Sequence, residues 1–184
     1  MTTEAGPLVI LDRDGVINYD SDAYIKSPDE WRPLPGSLAA IAALTKHGRR
    51  VIVVSNQSGV GRGLFSEAVL AAIHAKMLAA IEAEGGAVSG VYYCPHLPKD
   101  KCACRKPAPG MLQQIGRDFG CALTGVPFVG DKVSDVRAAQ AVHARPILVR
   151  TGSGRAALAE LRDSSIEVYD DLAAAVAQLL PAQE

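Results

Sequence analysis

Short apolar runs alternate along this chain with longer segments whose apolar residues recur at helical spacing. Such runs are too short for helices and are rich in strand-forming residues. They predict six strands, at residues 8–11, 51–54, 91–93, 127–130, 146–149 and 166–168. Because most of these runs are apolar throughout, the strands are expected to be covered on both faces of a sheet.

The segments between the strands predict helices. Leu38, Ile41 and Leu44 repeat at helical spacing after Ser37, and Gly48 stands where a left-handed helix end is expected. Further helices are predicted from Ser66-Glu67 to Gly85-Gly86, from Pro109 to about Phe119, from Ser134 as cap to about Val142, and from about Asp171 to Leu180.

Strands that alternate with helices predict an α/β fold, a three-layer Rossmann-like parallel sheet with helices on both faces. The 184 residues suit one domain, 1–184, because no linker or repeat divides them. The irregular segments are longer than connections need to be, so function is expected there. These segments are 15–35, 57–65, 94–108 and 150–156.

The charge balance narrows the range of partners. With 19 Lys and Arg against 20 Asp and Glu, the net charge is −1, which argues against a nucleic-acid binder. No apolar stretch approaches the roughly 20 residues of a membrane span, and the first residues lack the basic cluster of a secretory signal. We expect a cytoplasmic protein with a small-molecule substrate, as a monomer or weak homo-oligomer.

Polar or reactive side chains follow the first four predicted strands. The strand ends carry Asp12 with Asp14 nearby, then Ser55, Cys94 and Asp131. Ligands of open parallel sheets bind beyond the carboxyl ends of the strands. Aspartate is also a common turn residue, and this preference could explain one aspartate after a strand. It explains less well two acids two positions apart together with a third acid at a distant strand end.

This set predicts phosphoryl transfer. Neighbouring carboxylates repel one another unless a cation lies between them, and the oxygens of Asp12, Asp14 and Asp131 suit Mg²⁺. Ser55 can donate its hydroxyl and N–H groups to a phosphate. Lys106, near the start of a predicted helix, supplies a positive charge beside helix N–H groups. Cation and lysine together would neutralise the transferring group.

The same residues resemble the four ordered motifs of the haloacid-dehalogenase-like (HAD-like) phosphatases. The motifs are Asp12-x-Asp14-Gly15, the apolar run that ends in Ser55-Asn56, Lys106, and Gly130-Asp131-x-x-x-Asp135. Four motifs in order are far more specific than any one of them. The intervals from Asp14 to Ser55 and from Ser55 to Lys106 are too short for a cap domain, so an open site is expected.

The resemblance implies a covalent mechanism. Asp12 would attack phosphorus, and Asp14 would protonate the leaving oxygen and later deprotonate water. Ser55 and Lys106 would hold the phosphoryl oxygens. Mg²⁺ would bind the Asp12 carboxylate, the Asp14 backbone carbonyl and Asp131. We expect Asp135 to support Lys106 or the water shell of the metal.

A second cluster combines three thiols and an imidazole: Cys94, His96, Cys102 and Cys104. Three Cys and one His are the ligand count of a closed structural zinc site, although the arms are tighter than usual. A buried non-ligand pair or a redox pair of cysteines is the alternative. Zinc would rigidify the 94–104 loop and so place the residues that follow it. Cys121 is expected to be a small buried hydrophobe.

The zinc loop and the first two motifs resemble one subgroup of these phosphatases. The segments are DRDGVIN at 12–18, SNQSG at 55–59 and CPH…CACRKPAPGM at 94–111. The resemblance implies hydrolysis of the 7-phosphate of D-glycero-D-manno-heptose 1,7-bisphosphate, a precursor of ADP-heptose and the lipopolysaccharide core. Histidinol phosphate is the alternative substrate. A non-catalytic zinc-bearing module that binds a phospho-ligand or a protein is the alternative of another class.

Several residues are candidates for substrate recognition. Asp20 and Asn56 could bond sugar hydroxyls, and Arg105 could grip a second phosphate through its planar fork. The full candidate set is Asp20, Tyr24, Asn56, Gln57, Ser58, Arg105 and Lys132. Asp20 could instead be a turn residue and Tyr24 a packing aromatic. The Gly-containing run 150–154 is interpreted as a turn at the sheet edge, and His47, His74 and His143 as surface or helix-end residues.

Overall fold

The computed structural model describes residues 6–162 and 165–181, which form one parallel sheet with helices around it. All six predicted strands are present, and their order in the sheet is β3-β2-β1-β4-β5-β6. They are β1 (Leu8–Asp12), β2 (Arg50–Asn56), β3 (Val88–Cys94), β4 (Pro127–Gly130), β5 (Arg145–Val149) and β6 (Glu167–Tyr169). Every neighbouring pair is parallel.

Helices cover both faces of the sheet. They are α1 (Ser37–Lys46), α2 (Ser58–Gly61), α3 (Glu67–Ala83), α4 (Gly110–Asp118), α5 (Val133–Ala141), α6 (Gly154–Leu161) and α7 (Leu172–Leu179). Val9 and Leu11 of β1 pack with α1, α3 and α7, whereas Leu8 and Ile10 pack with α4 and α5. Ala157 of α6 packs beside α5. The predicted three-layer architecture is therefore confirmed.

The alternating side chains of β1 explain why the sheet lies at the centre of the core. Val9, Ile10 and Leu11 are all fully buried, because each face of the strand meets a helical layer. Burial of such side chains contributes about 1.5–3 kcal/mol each. No separate cap domain interrupts the described residues. Only α1 and a 3-10 turn at Pro28–Glu30 lie between β1 and β2, and only α2 and α3 lie between β2 and β3.

Most helix limits follow the predicted signals. The Ser66 hydroxyl accepts a hydrogen bond from the Val69 N–H at the start of α3, and Gly48 has a φ of 70° after α1. The predicted cap at Ser134 is wrong. Helix α5 begins at Val133 after Lys132, whose N–H donates to the Asp135 carboxylate at 3.0 Å.

The strand order places a crevice at the carboxyl end of β1. Strand β1 pairs with β2 on one side and with β4 on the other, so the connections that follow these strands diverge at this point. Such a reversal is the usual ligand site of open α/β sheets.

Within the described part of the chain, no helix has the length and hydropathy needed to cross a membrane.

Candidate active site

Three of the predicted catalytic and metal-binding residues meet at this crevice. Asp12 is the last residue of β1, Ser55 lies near the end of β2, and Asp131 follows β4. All three are buried. They come together because the strands are parallel and neighbouring, so that their carboxyl ends share one edge of the sheet.

Lys106 lies between two carboxylates. Its Nζ is 2.8 Å from Asp12 Oδ1 and 2.7 Å from Asp135 Oδ1, and all three side chains are almost inaccessible to solvent. Burial alone would lower the pKa of Lys106, but the charges of Asp12 and Asp135 outweigh it and raise the pKa above its usual value. The lysine is therefore a fixed positive charge beside Asp12.

The acidic cluster has the composition of a magnesium site. Oxygens of Asp12, Asp131 and Asp135 all lie within 4.8 Å of one another. Asp131 Oδ1 is buried and has no hydrogen-bond partner in the described structure, whereas Oδ2 accepts the Ser153 N–H at 2.8 Å. An unpartnered carboxylate oxygen that faces other carboxylates fits a hard divalent cation. Asp12 and Asp131 could therefore hold Mg²⁺, whereas Asp135 forms an ion pair with Lys106.

The pKa values of the cluster show the same need for positive charge. Burial, then the charge of Asp12, raises the pKa of Asp131 to about 8. Burial and the charge of Asp135 raise the pKa of Asp12 to about 6, although Lys106 opposes the rise. A bound divalent cation lowers the pKa of carboxylates beside it and would keep both ionised at neutral pH.

The Asp14 carboxylate is held by hydrogen bonds from residues outside the acidic cluster. It accepts two bonds from Arg13, one from Asn18 at 2.8 Å and one from Gln57 at 2.8 Å. Burial would raise the pKa of Asp14, but the charge and hydrogen bonds of Arg13 outweigh it and lower the pKa. Asp14 lines the same small cavity as Asp12, Ser55 and Lys106.

Residues 151–153 form the turn that the sequence predicts, but this turn does not lie at the edge of the sheet. Strand β5 is not an edge strand, because β6 lies beyond it, and helix α6 begins at Gly154. The Thr151 hydroxyl donates to the Gly15 carbonyl at 2.6 Å, and the Ser153 N–H donates to Asp131. This segment therefore helps to position Asp131. The available signal was a Gly-containing run directly after a strand at the edge where the other site residues lie.

We predict that Gly152→Ala will damage this site. Gly152 has a φ of 55°, and a Cβ there would lie 2.2 Å from Asp131 Oδ2 and 2.7 Å from the Gly15 Cα. The added methyl group must displace Asp131, so magnesium affinity, measured from the metal dependence of activity, should fall by about tenfold or more. The matched control is Gly120→Ala, which has a φ of 62° with nothing within 4 Å. Equal effects of the two substitutions would contradict the role of Gly152.

The residues proposed to read the substrate occupy three places around the cavity. Lys132 Nζ pairs with Asp20 Oδ2 at 2.8 Å, with both side chains partly exposed. Arg105 is half-buried and donates to the His96 carbonyl at 3.3 Å, in an open groove of about 360 Å³ that Lys101 also lines. Tyr24, with a φ of 64°, lies against the position of Gly59.

The remaining three candidates lie at the end of β2 and directly after it. The Asn56 amide both donates to the Lys106 carbonyl and accepts the Lys106 N–H, each at 3.0 Å, so it ties this segment to β2. Gln57 is buried and donates to Asp14 and to the Ser55 hydroxyl. Ser58 is buried at the start of α2. In this structure Asn56 and Gln57 support the catalytic residues.

The Cys and His cluster converges as its spacing predicts. Cys104 Sγ lies 3.1 Å from Cys94 Sγ, 3.4 Å from Cys102 Sγ and 3.2 Å from His96 Nδ1. All four ligand atoms lie within 4.8 Å of one another, and all four cysteines of the chain are free thiols. Three sulfurs and one nitrogen around a point could hold a tetrahedral zinc ion.

His74 is not the surface residue that the sequence suggests, although His47 and His143 are exposed. His74 is buried on the inner face of α3, and its ring packs at 5.8 Å from the Tyr93 ring. Its Nε2 has no hydrogen-bond partner in the described structure. Burial, then the charge of Arg13, lowers the pKa of His74 from the ordinary 6.5 to about 4. The imidazole is therefore neutral in the folded protein.

This burial predicts a pH-dependent stability. Between pH 6.5 and 4 the unfolded chain binds a proton at residue 74 that the folded chain does not, so stability is lost as the pH falls through this window. The loss reaches about 2 kcal/mol at pH 5. The free energy of unfolding is measured with urea at pH 7.5 and at pH 5. The decrease between the two pH values should be smaller in His74→Gln than in the wild type, by about this amount. His143→Asn, at an exposed position, should follow the wild type; if His74→Gln does so too, the assignment is wrong.

Comparison with known proteins places this arrangement in a family. A model of HAD-hydrolase-like proteins matches residues 103–175. D-glycero-beta-D-manno-heptose-1,7-bisphosphate 7-phosphatases of Pseudomonas aeruginosa and Bordetella bronchiseptica are 51% and 53% identical over 173 and 175 residues. Each alignment covers 94% of this chain and 97% of the relative.

A solved structure shares the fold along nearly the whole chain. The crystal structure of D,D-heptose 1,7-bisphosphate phosphatase from B. bronchiseptica, complexed with magnesium and phosphate, matches with a TM-score of 0.92 and 52% identity. The match covers 94% of this chain and 97% of the other. The resemblance inferred from the motifs is thereby confirmed. The chain belongs to the HAD-like hydrolases, in the family of the heptose bisphosphate phosphatases.

Proposed function

We propose that this chain hydrolyses the 7-phosphate of D-glycero-β-D-manno-heptose 1,7-bisphosphate in the supply of ADP-heptose for lipopolysaccharide. The observation that carries the chemistry is the contact of Lys106 with Asp12 beside the unpartnered oxygen of Asp131. The substrate is proposed from the names of the relatives, which are about half identical over nearly the whole chain.

The proposed reaction has two steps. Asp14 takes up a proton as the anionic phosphate group of the substrate binds beside it. A carboxylate oxygen of Asp12 then attacks phosphorus, the bond from phosphorus to the sugar oxygen breaks, and Asp14 gives that oxygen its proton. Water then attacks the aspartyl-phosphate, Asp14 takes a proton from it, and inorganic phosphate leaves with Asp12 restored. Lys106 and Ser55 hold the phosphoryl oxygens throughout. Mg²⁺, when bound at Asp12 and Asp131 and at the Asp14 carbonyl, offsets the negative charge of the phosphoryl group.

The groove beside the zinc loop supports a bisphosphate. Lys101 and Arg105 line it together with Lys106, so it continues from the catalytic lysine and carries further positive charge. A phosphate at the far end of a sugar could be bound there through the Arg105 fork. Lys132 lines the catalytic cavity and pairs with Asp20, so these two residues would contact the substrate there.

The location and assembly belong to the same proposal. We place the enzyme in the cytoplasm as a monomer or weak homo-oligomer that acts alone on a small molecule. Support for the location comes from the four free thiols, three of them in a metal-type cluster that a reducing compartment favours.

Phosphate release from a panel of substrates tests the proposal. The panel holds both anomers of the heptose 1,7-bisphosphate, fructose 1,6-bisphosphate and histidinol phosphate, each with Mg²⁺. We expect a clear preference for the β-heptose substrate, with the 1-phosphate retained. Preference for histidinol phosphate would keep the chemistry and overturn the substrate. Release from none of them, with zinc bound, would favour a non-catalytic binding module.

A further inference from the structure

An arginine is completely buried behind the proposed acid-base residue. The Arg13 side chain is 1% exposed and that of Asp14 15%, so the arginine lies on the protein side of the carboxylate and the cavity on the other. Its Nε and Nη2 donate to Asp14 Oδ1 and Oδ2 at 2.9 and 3.0 Å. This two-point fork fixes both the place and the plane of a carboxylate.

The burial of Arg13 has no evident structural reason. A buried guanidinium loses its hydration, and an ion pair with one carboxylate recovers that cost only in part. Its Nη1 is buried with no hydrogen-bond partner in the described structure, and the neutral His74 nearby supplies no negative charge. A buried cation that forms a single ion pair among the described residues points to a functional use of that pair.

Arg13 supplies half of the bonds that hold Asp14. The other two come from the uncharged amides of Asn18 and Gln57, one to each carboxylate oxygen. Each amide also has a second acceptor: Asn18 donates to the Tyr19 carbonyl and Gln57 to the Ser55 hydroxyl. Each amide nitrogen carries two hydrogens, so it serves both acceptors at once. Without the fork, each Asp14 oxygen would keep one single hydrogen bond in the described structure, and the carboxylate could rotate.

We propose that Arg13 is a positioning residue for proton transfer, and that its buried fork holds Asp14 at the leaving oxygen. The inference rests on the proposed function, in which the bond from phosphorus to the sugar oxygen breaks as that oxygen takes the Asp14 proton. A sugar alkoxide is a poor leaving group and needs this proton. A p-nitrophenolate leaves readily without it, so only the sugar substrate depends strongly on the orientation of Asp14.

The test compares the two leaving groups. In Arg13→Gln, kcat for the heptose bisphosphate should fall by about 100-fold, and kcat for p-nitrophenyl phosphate by less than about tenfold. Arg13→Lys keeps the charge without the fork. It should also lose more activity towards the heptose bisphosphate than towards p-nitrophenyl phosphate, but with a smaller difference. Arg145→Gln is the matched control, because Arg145 also forms a two-point fork, with Glu167 at the far edge of the sheet. It should change neither rate.

A double substitution provides a second test, which is measured with the heptose substrate alone. If Arg13 acts through Asp14, then Arg13→Gln combined with Asp14→Asn should be no slower than Asp14→Asn by itself. Equal losses for both substrates in the Arg13 variants, or additive losses in the double variant, would overturn the inference and leave Arg13 with a structural role. If Asp14→Asn itself slowed both substrates equally, that result would instead overturn the acid-base role of Asp14.

Discussion

Replacing Asp12 by Asn is expected to abolish phosphate release, with a loss of about 10⁴-fold or more in kcat. The amide is a far weaker nucleophile than the carboxylate and brings no negative charge to a divalent cation. The side chain keeps its size, and its carbonyl oxygen can still accept the bond from Lys106 Nζ. The variant should therefore fold normally and retain its zinc.

The control for this result is Asp29→Asn, at an exposed position in the 3-10 turn before α1. Its kcat should equal that of the wild type, and circular dichroism and zinc content should agree among all three proteins. Phosphate release by Asp12→Asn at more than about one hundredth of the wild-type rate would exclude Asp12 as nucleophile.

The second large effect is expected on removal of zinc. Cys102→Ser leaves three ligands, so the purified variant should lack the one equivalent of zinc expected in the wild type. Metal binding contributes about 10 kcal/mol or more to the folding of small zinc domains, and a loss of several kcal/mol is expected here, where the sheet persists. Thermal unfolding monitored by circular dichroism measures the stability.

Activity should fall with the zinc because the cluster is linked to the catalytic lysine. Cys104 precedes Lys106 by two residues, and the backbone of Lys106 is bonded to Asn56 of β2. The matched control is Cys121→Ser, which changes a half-buried thiol outside the cluster and should retain its zinc. A wild type free of zinc, or identical behaviour of the two serine variants, would contradict the assignment.

The sheet could be predicted closely from the sequence because each strand is a short apolar run between helical segments. The two short helices that were missed had weak local signals. Helix α2 contains Gly59 and Gly61, which disfavour helix by themselves. It forms because glycine permits close packing: a Cβ on Gly61 would lie 2.5 Å from the Pro95 carbonyl. Helix α6 follows the Gly-containing run at 150–154, which resembles a turn.

The strand-end residues of the site could be predicted for a related reason. Asp12, Ser55 and Asp131 occupy strand ends, and the rule that parallel strands share an edge brings them together. Arg13 and His74 could not be placed, because their burial depends on how α3 packs against the segment after β1. The sequence around a charged residue between two acids, or around a lone histidine on a helix, does not indicate whether that side chain is buried.

The most direct test of the account is to trap the phosphorylated enzyme during turnover. Rapid quenching with borohydride reduces an aspartyl-phosphate to homoserine, and mass spectrometry of the peptide that carries residue 12 locates the change. We predict homoserine at position 12 only when substrate and Mg²⁺ are both present, and none in Asp12→Asn. Full turnover with no modified Asp12, or with the modification at Asp14 or Asp131, would contradict Asp12 as the nucleophile.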